Sequence, residues 1–158
     1  MNHANHTDIQ NHENTLCLGK SRNIPLRSLA MPFVRISLNR GREIEDLRSI
    51  SDTVHLCLVE AFAIPEKDKF HAIHQHDPGE LVFDADYLGP QRTDGFILLQ
   101  ITGGKERTVE QKKALYALLA SRLESLCGFR ADDVMVIVST NDLPDWSFGA
   151  GHAQMLEQ

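Results

Sequence analysis

The chain has 158 residues, enough for one domain with a real core. Its 42% hydrophobic and 24% charged residues are the balance of an ordinary globular protein. A formal net charge of -6 argues against a nucleic-acid binder, which carries a basic surplus. No apolar run is long enough to span a bilayer, and no basic start leads into an apolar stretch as in a secretory signal. A cytoplasmic protein with no membrane and no nucleic-acid partner is therefore expected.

Residues 1–30 stand apart. Met1 to Glu13 is rich in Asn and His and has neither a helical nor a strand period. Such a segment buries too little apolar surface to offset its ordering entropy. It reads as a disordered extension or as a start placed too early, with His3, His6 and His12 as polar tail residues. The domain itself is expected over 31–158. It opens on Met31-Pro32, which looks like a translation start. If the methionine is removed, the proline nitrogen becomes a free secondary amine. Inside a chain it is a tertiary amide with no proton to give.

A first strand is predicted over about Phe33–Leu38, with Asn39-Arg40-Gly41 as a turn. A helix follows from about Glu43 to Phe62, because Ile44, Leu47, Ile50, Val54, Leu58 and Phe62 form one apolar stripe. Pro65 lies past its end. A second strand covers about Lys69–His76. Asp77 to Asp94, with Pro78, Gly79, Gly89 and Pro90, reads as an excursion that could include a short hairpin.

The pattern then repeats. Gly95–Thr102 holds the apolar run Phe96-Ile97-Leu98-Leu99, and Gly103-Gly104-Lys105-Glu106-Arg107 is a glycine-rich connection. Thr108-Val109-Glu110-Gln111 is a capping box that starts a second helix. Its stripe is Val109, Leu115, Leu119, Leu123 and Leu126, and Gly128 stops it. Val134–Ser139 is a fourth strand. An offset of 65 positions lays Asp68 over Asp133.

The fold class is therefore α/β, with two consecutive right-handed βαβ units. They form a four-stranded sheet with both helices on one face. Phe96–Leu99 and Val134–Val138 show no alternation, as in strands covered on both sides. No further helix remains to cover the second face, so a homo-oligomer is expected to do so. The three cysteines, Cys17, Cys57 and Cys127, have no disulfide or zinc spacing. Cys57 and Cys127 read as small core residues.

These residues together resemble the tautomerase superfamily, near its malonate semialdehyde decarboxylase-like branch. The likeness rests on the Met31-Pro32 start before β-type residues, the two βαβ halves, and Asp68 in Pro65-Glu66-Lys67-Asp68-Lys69-Phe70. It also rests on the basic cluster before the second helix and the late Asp145-Trp146-Ser147-Phe148-Gly149 segment. It covers about Met31 to Gln154. The resemblance implies a homotrimer with a catalytic proline at the mature amino terminus, here Pro32. It implies Asp68 as the carboxylate that assists the proline. It implies Lys105 and Arg107 as the cations that bind a substrate carboxylate, and Trp146 and Phe148 as an aromatic wall. The pattern departs in one place, since Lys105 stands where the family has an arginine.

Each residue also has a plainer reading. Pro32 could simply begin a strand, Asp68 could be a solvated turn residue, and Lys105 and Arg107 could be charges in a turn. Trp146 could be an interface anchor. His74 and His76 share a strand face. Zinc would need a third ligand there, and the resembled branch is metal-independent, so no metal and no cofactor are expected. The function implied is acid–base chemistry on a small anionic oxo acid, either keto–enol tautomerisation or decarboxylation of a 3-oxo acid. The alternative is a catalytically silent trimeric binder of small acids, with Pro32 blocked by the extension.

Overall fold

The computed structural model describes residues 31–89 and 91–157. The reading of residues 1–30 lies outside them. The elements run β1 (Pro32–Asn39), α1 (Ile44–Phe62), β2 (Phe70–His76), β3 (Ile97–Gly103), α2 (Val109–Cys127) and β4 (Val134–Thr140). The strand order is β2-β1-β3-β4. Within each half the strands are parallel, and the halves join through an antiparallel β1–β3 pair. Two βαβ units thus share one mixed sheet.

The repeat is close in register. Both helices are 19 residues long, and their first residues, Ile44 and Val109, lie 65 positions apart. α2 starts on the capping box, with Thr108 accepting from the Gln111 N–H at 3.2 Å and Gln111 accepting from the Thr108 N–H at 3.1 Å. Both helices end on a left-handed residue, Ala63 with φ 52° and Gly128 with φ 71°. Only glycine takes that conformation without steric cost.

The core lies between the helices and one sheet face. Val34, Ile36 and Leu38 of β1 and Ile97, Leu99 and Ile101 of β3 are buried against Ile50, Val54 and Leu58 of α1 and Leu115, Leu119 and Leu123 of α2. Each such side chain contributes about 1.5–3 kcal/mol by leaving water. The apolar stripes are narrower than their spacing suggests. Ile44, Val109 and Leu126 lie at the helix ends, beyond the width of the sheet, and are exposed. The strands also alternate in burial. Met135 and Ile137 of β4 point to the uncovered face and are 40% and 43% exposed. Arg35 and Gln100, paired across β1 and β3, share that face. No strand forms among the described residues of 77–94. Phe83 stacks on Phe96 at 4.2 Å and pins that excursion instead. Cys57 is buried, but Cys127 is only partly so and lies 3.5 Å from the Thr53 hydroxyl. Among the described residues no helix is long and apolar enough to cross a membrane.

Antiparallel pairing of the halves has one consequence for function. The start of β1, the end of β3, the end of α1 and the start of α2 all meet at one end of the molecule.

Candidate active site

Pro32 is buried at the head of β1 and stands opposite Gly103, the last residue of β3. Asp68 lies in the turn after α1, where its N–H donates to the Pro65 carbonyl at 3.0 Å. The backbone N–H of Met31, one residue before Pro32, reaches the Asp68 carboxylate. Asp68 and the proline nitrogen are therefore neighbours. Burial pushes the Asp68 carboxyl above its ordinary value, and His55 and the Met31 N–H partly oppose that rise. Its Oδ2 is buried and has no hydrogen-bond partner among the described residues.

Asp133, the repeat mate of Asp68, shows the structural alternative. It is 1% exposed and accepts from both the N–H and the hydroxyl of Thr93, each at 2.6 Å. Both of its oxygens go into anchoring the turn before β3. Asp68 keeps Oδ2 without a hydrogen bond among the described residues.

Arg107 immediately precedes the α2 cap and is only 7% exposed. Its guanidinium lies over the Phe62 ring, 5.0 Å from the centroid. Among the described residues it has no ion pair and no hydrogen bond, and burial pulls its pKa down. It stays charged nonetheless. A buried cation with unused donors, beside a helix amino terminus, favours an anion. Lys105 is exposed and does not reach the same depth. Arg42 occupies the repeat position before α1 and lies 4.5 Å from the Phe129 centroid, but it donates to the Cys127 carbonyl at 3.0 Å. One copy of the motif is thus closed on its own backbone, and the other is open.

Trp146 and Phe148 stack with ring planes 5° apart and centroids at 6.0 Å, and Phe148 also meets Phe70 at 6.0 Å. Trp146 packs on Gly104, where an added Cβ would come within 3.5 Å of its Nε1. That Nε1 is buried and has no hydrogen-bond partner among the described residues. Since Gly103 pairs with Pro32, the wall stands at the Pro32 end. Gln154 holds its outer side, accepting from the Phe148 N–H at 2.9 Å and donating to the Gly149 carbonyl at 2.7 Å. Gly149, with φ 123°, permits that turn. The structure therefore gathers Pro32, Asp68, Arg107, Trp146 and Phe148 at one end and leaves Lys105 at the rim.

Two tautomerase enzyme family models match the chain, one over residues 32–90 and one over residues 68–149. The probable tautomerase YusQ of Bacillus subtilis (strain 168) is 44% identical over 127 residues, which are 80% of this chain and 100% of that protein. The chain belongs to the tautomerase superfamily. A crystal structure of malonate semialdehyde decarboxylase is similar at 37% identity, with a TM-score of 0.73, and covers 79% of this chain and 96% of that one. A second malonate semialdehyde decarboxylase, inhibited by 3-bromopropiolate, matches at 34% identity and a TM-score of 0.73, covering 79% and 95%. These likenesses put this tautomerase on the malonate semialdehyde decarboxylase-like branch.

Sequence reasoning did not single out three residues that the structure places at this end of the molecule. Phe62 is legible only as the last member of a helix stripe, and Phe70 only as a strand residue. His55 directly follows Val54 of the stripe and carries no motif of its own. His71 belongs to the same tier, with Nδ1 2.9 Å from the Ser51 hydroxyl and its ring 6.1 Å from that of His55. His74 and His76 face the other way, with ring centroids 6.4 Å apart. Among the described residues no three His, Cys, Asp or Glu side chains cluster to hold a metal.

Burial, with Lys69 and His55 nearby, lowers the His71 pKa from 6.5 to about 4. Between those values the unfolded chain binds the proton and the folded one resists it. Stability is therefore fully present above pH 6.5 and is lost as pH falls toward 4. Discounted for partial solvent exposure, the loss is about 1–2 kcal/mol. Denaturant unfolding at pH 7 and pH 4 should show that difference in wild type and little of it in His71→Gln. Asp68, shifted upward, works in the opposite sense in both proteins, so the comparison isolates His71.

Proposed function

We propose that this tautomerase, when its chain begins at Pro32, moves a proton on a small anionic oxo acid. The reaction is keto–enol tautomerisation or decarboxylation of a 3-oxo acid. The observation that carries this reading is Arg107. It is a buried guanidinium with no partner among the described residues, and it lies at the end that also holds the Pro32 nitrogen and Asp68. A substrate carboxylate would take the Arg107 fork, with Lys105 adding a screened charge from the rim. The free proline amine has an ordinary pKa of about 7.7–8.0, so it can give or take a proton near neutrality.

In tautomerisation, Pro32 takes a proton from the carbon beside the carbonyl, the electron pair moves to the oxygen, and the oxygen takes up a proton to give the enol; the reverse sequence returns the keto form. In decarboxylation, a protonated Pro32 hydrogen-bonds the 3-oxo oxygen, and Asp68 keeps the proton there. The carbon–carboxylate bond breaks, its electrons become an enolate, carbon dioxide leaves, and the enolate carbon takes up a proton. Trp146, Phe148 and Phe70 exclude water and strengthen the charge interactions. The family match beginning at residue 32 supports a catalytic Pro32. So does the similar decarboxylase, which was studied with its own first residue, a proline, changed to alanine and is described with decarboxylase and hydratase activities.

The chain forms a homotrimer in this reading, with the uncovered sheet face turned inward. Exposed Met135 and Ile137 on that face favour burial against a copy. A second reading has its own observation. With Met31 attached, its N–H occupies Asp68 and Pro32 is an amide, leaving a small-acid binder without turnover.

One experiment separates the two. The chain beginning at Pro32 is mixed with phenylenolpyruvate, followed by loss of enol absorbance, and with 3-oxopropanoate, followed by carbon dioxide release. Sedimentation should give the trimer mass. Turnover of either acid is expected. Silence toward both, with acid binding retained, would favour the binder.

A further inference from the structure

The excursion between β2 and β3 presents large apolar side chains to solvent. Val82 is 84% exposed, Leu88 is 85% exposed, and Tyr87 is exposed beside it. Leu88 also takes a left-handed backbone conformation, with φ 45°. That conformation costs a non-glycine residue free energy and is kept where the surroundings hold it in place. The loop is indeed held. The Arg92 guanidinium donates to the Asp84 carbonyl at 3.3 Å and to the Tyr87 carbonyl at 2.8 Å, and the Arg92 N–H donates to the Ala85 carbonyl at 3.0 Å. Phe83 stacks on Phe96. A loop fixed in this way, with apolar side chains turned outward, is suited to docking, because little ordering remains to be done on binding.

The same chain carries a groove of about 480 Å³ between α1 and the flank of β2. Ile44, Leu47 and Ile73 give it an apolar lining, and Ile44 is 54% exposed. β2 is an edge strand, so another chain can approach that flank. Neither Val82, Tyr87 nor Leu88 of the same molecule lines the groove. The charges are complementary. Around the groove Arg48 and Lys69 outnumber Asp52, whereas Asp84 and Asp86 lie among the apolar residues of the loop. Arg48 and Lys69 face the exposed carboxylates Glu45 and Asp52, and such surface pairs are weak enough to exchange partners.

We infer that the 82–88 loop of one copy docks in the Ile44–Leu47–Ile73 groove of the next, with Leu88 as the apolar anchor and Asp84 and Asp86 turned toward Arg48 and Lys69. Loop and groove are different surfaces, so the contact is head-to-tail and closes into a ring when the rotation allows it. This inference rests on the homo-oligomer read under Proposed function, and it adds to the buried sheet face a second pair of surfaces that meet.

The test is sedimentation of the full chain, together with cross-linking by a flexible bis-maleimide. Leu88→Asp and Ile44→Asp place a charge on either side of the contact at exposed positions, and thermal unfolding verifies that each variant folds. Each should weaken assembly about tenfold or more, as expected for losing an interface anchor. A chain carrying both Leu88→Cys and Ile44→Cys should give a covalent ladder up to the full oligomer, beyond that of wild type or of either single cysteine variant. A wild-type oligomer that is unaffected by both Asp substitutions, and that gives no added ladder, overturns the inference and leaves the homo-oligomer standing. Cross-linking by Leu88→Cys alone means loop against loop and also overturns it. A monomeric wild type overturns the homo-oligomer itself, and the docking with it.

Discussion

A chain beginning at Pro32 is expected to turn over oxo acids about 100- to 10,000-fold faster than the same chain with Met31 attached, the usual worth of a general acid or base. The comparison changes one bond. With Met31 in place, the proline nitrogen is an amide with no proton and no basicity. The Met31 N–H then occupies the carboxylate that would otherwise face the amine. Arg107, Trp146 and Phe148 are the same in both chains, so substrate binding should change far less than kcat. Intact mass verifies which form is present, and single-substrate kinetics reads the ratio. Equal kcat in the two forms would remove Pro32 from the chemistry. Within the short form, Pro32→Ala should also lose most activity, because a primary amine without the ring no longer packs at the buried head of β1.

Arg107→Ala is expected to lower kcat/KM about 10- to 100-fold, since a hydrogen bond to a charged group contributes about 1.5–3 kcal/mol. Most of that loss should appear in KM, because a carboxylate anchor holds substrate and transition state alike. Arg107→Lys should recover part of it, restoring the charge but not the fork. Lys105→Ala should change kcat/KM by less than about threefold, as exposed charges are screened. Thermal unfolding of each variant controls for the lost contact between Arg107 and Phe62. An Arg107→Ala protein with an unchanged KM would mean that the substrate carboxylate binds elsewhere.

Much of the architecture was readable from local chemistry. The apolar period of α1, the Thr108–Gln111 box and the Gly128 stop place both helices within a residue or so of their observed ends. The 65-position repeat, seen first in Asp68 and Asp133, holds between the helices as well. Periodicity was less reliable at the edges. Val109 and Leu126 fit the stripe of α2 but are exposed, because a stripe reports the facing side of a helix and not how far its cover extends. The apolar run in β4 did not reveal that Met135 and Ile137 turn away from the helices.

The site divides in the same way. Pro32, Asp68, Arg107 and Trp146 could be named from the sequence, since the residue types and their order along the chain carry the family pattern. Their separate fates could not. Asp68 and Asp133 occupy equivalent positions, as do Arg107 and Arg42. Yet Asp133 has both oxygens bonded to Thr93 and Arg42 donates to the Cys127 carbonyl, while Asp68 keeps Oδ2, and Arg107 its guanidinium, without a hydrogen bond among the described residues. His55 had no signal at all, because the Glu66 carbonyl it meets is brought to it only by the turn after α1. By itself the sequence determined the elements, their repeat and the kind of chemistry available, because these depend on neighbours along the chain. Only the tertiary structure decided which of two equivalent acids keeps an oxygen, and which of two equivalent cations keeps its donors, without a partner among the described residues, because hydrogen-bond satisfaction depends on groups that are distant in sequence and close in space.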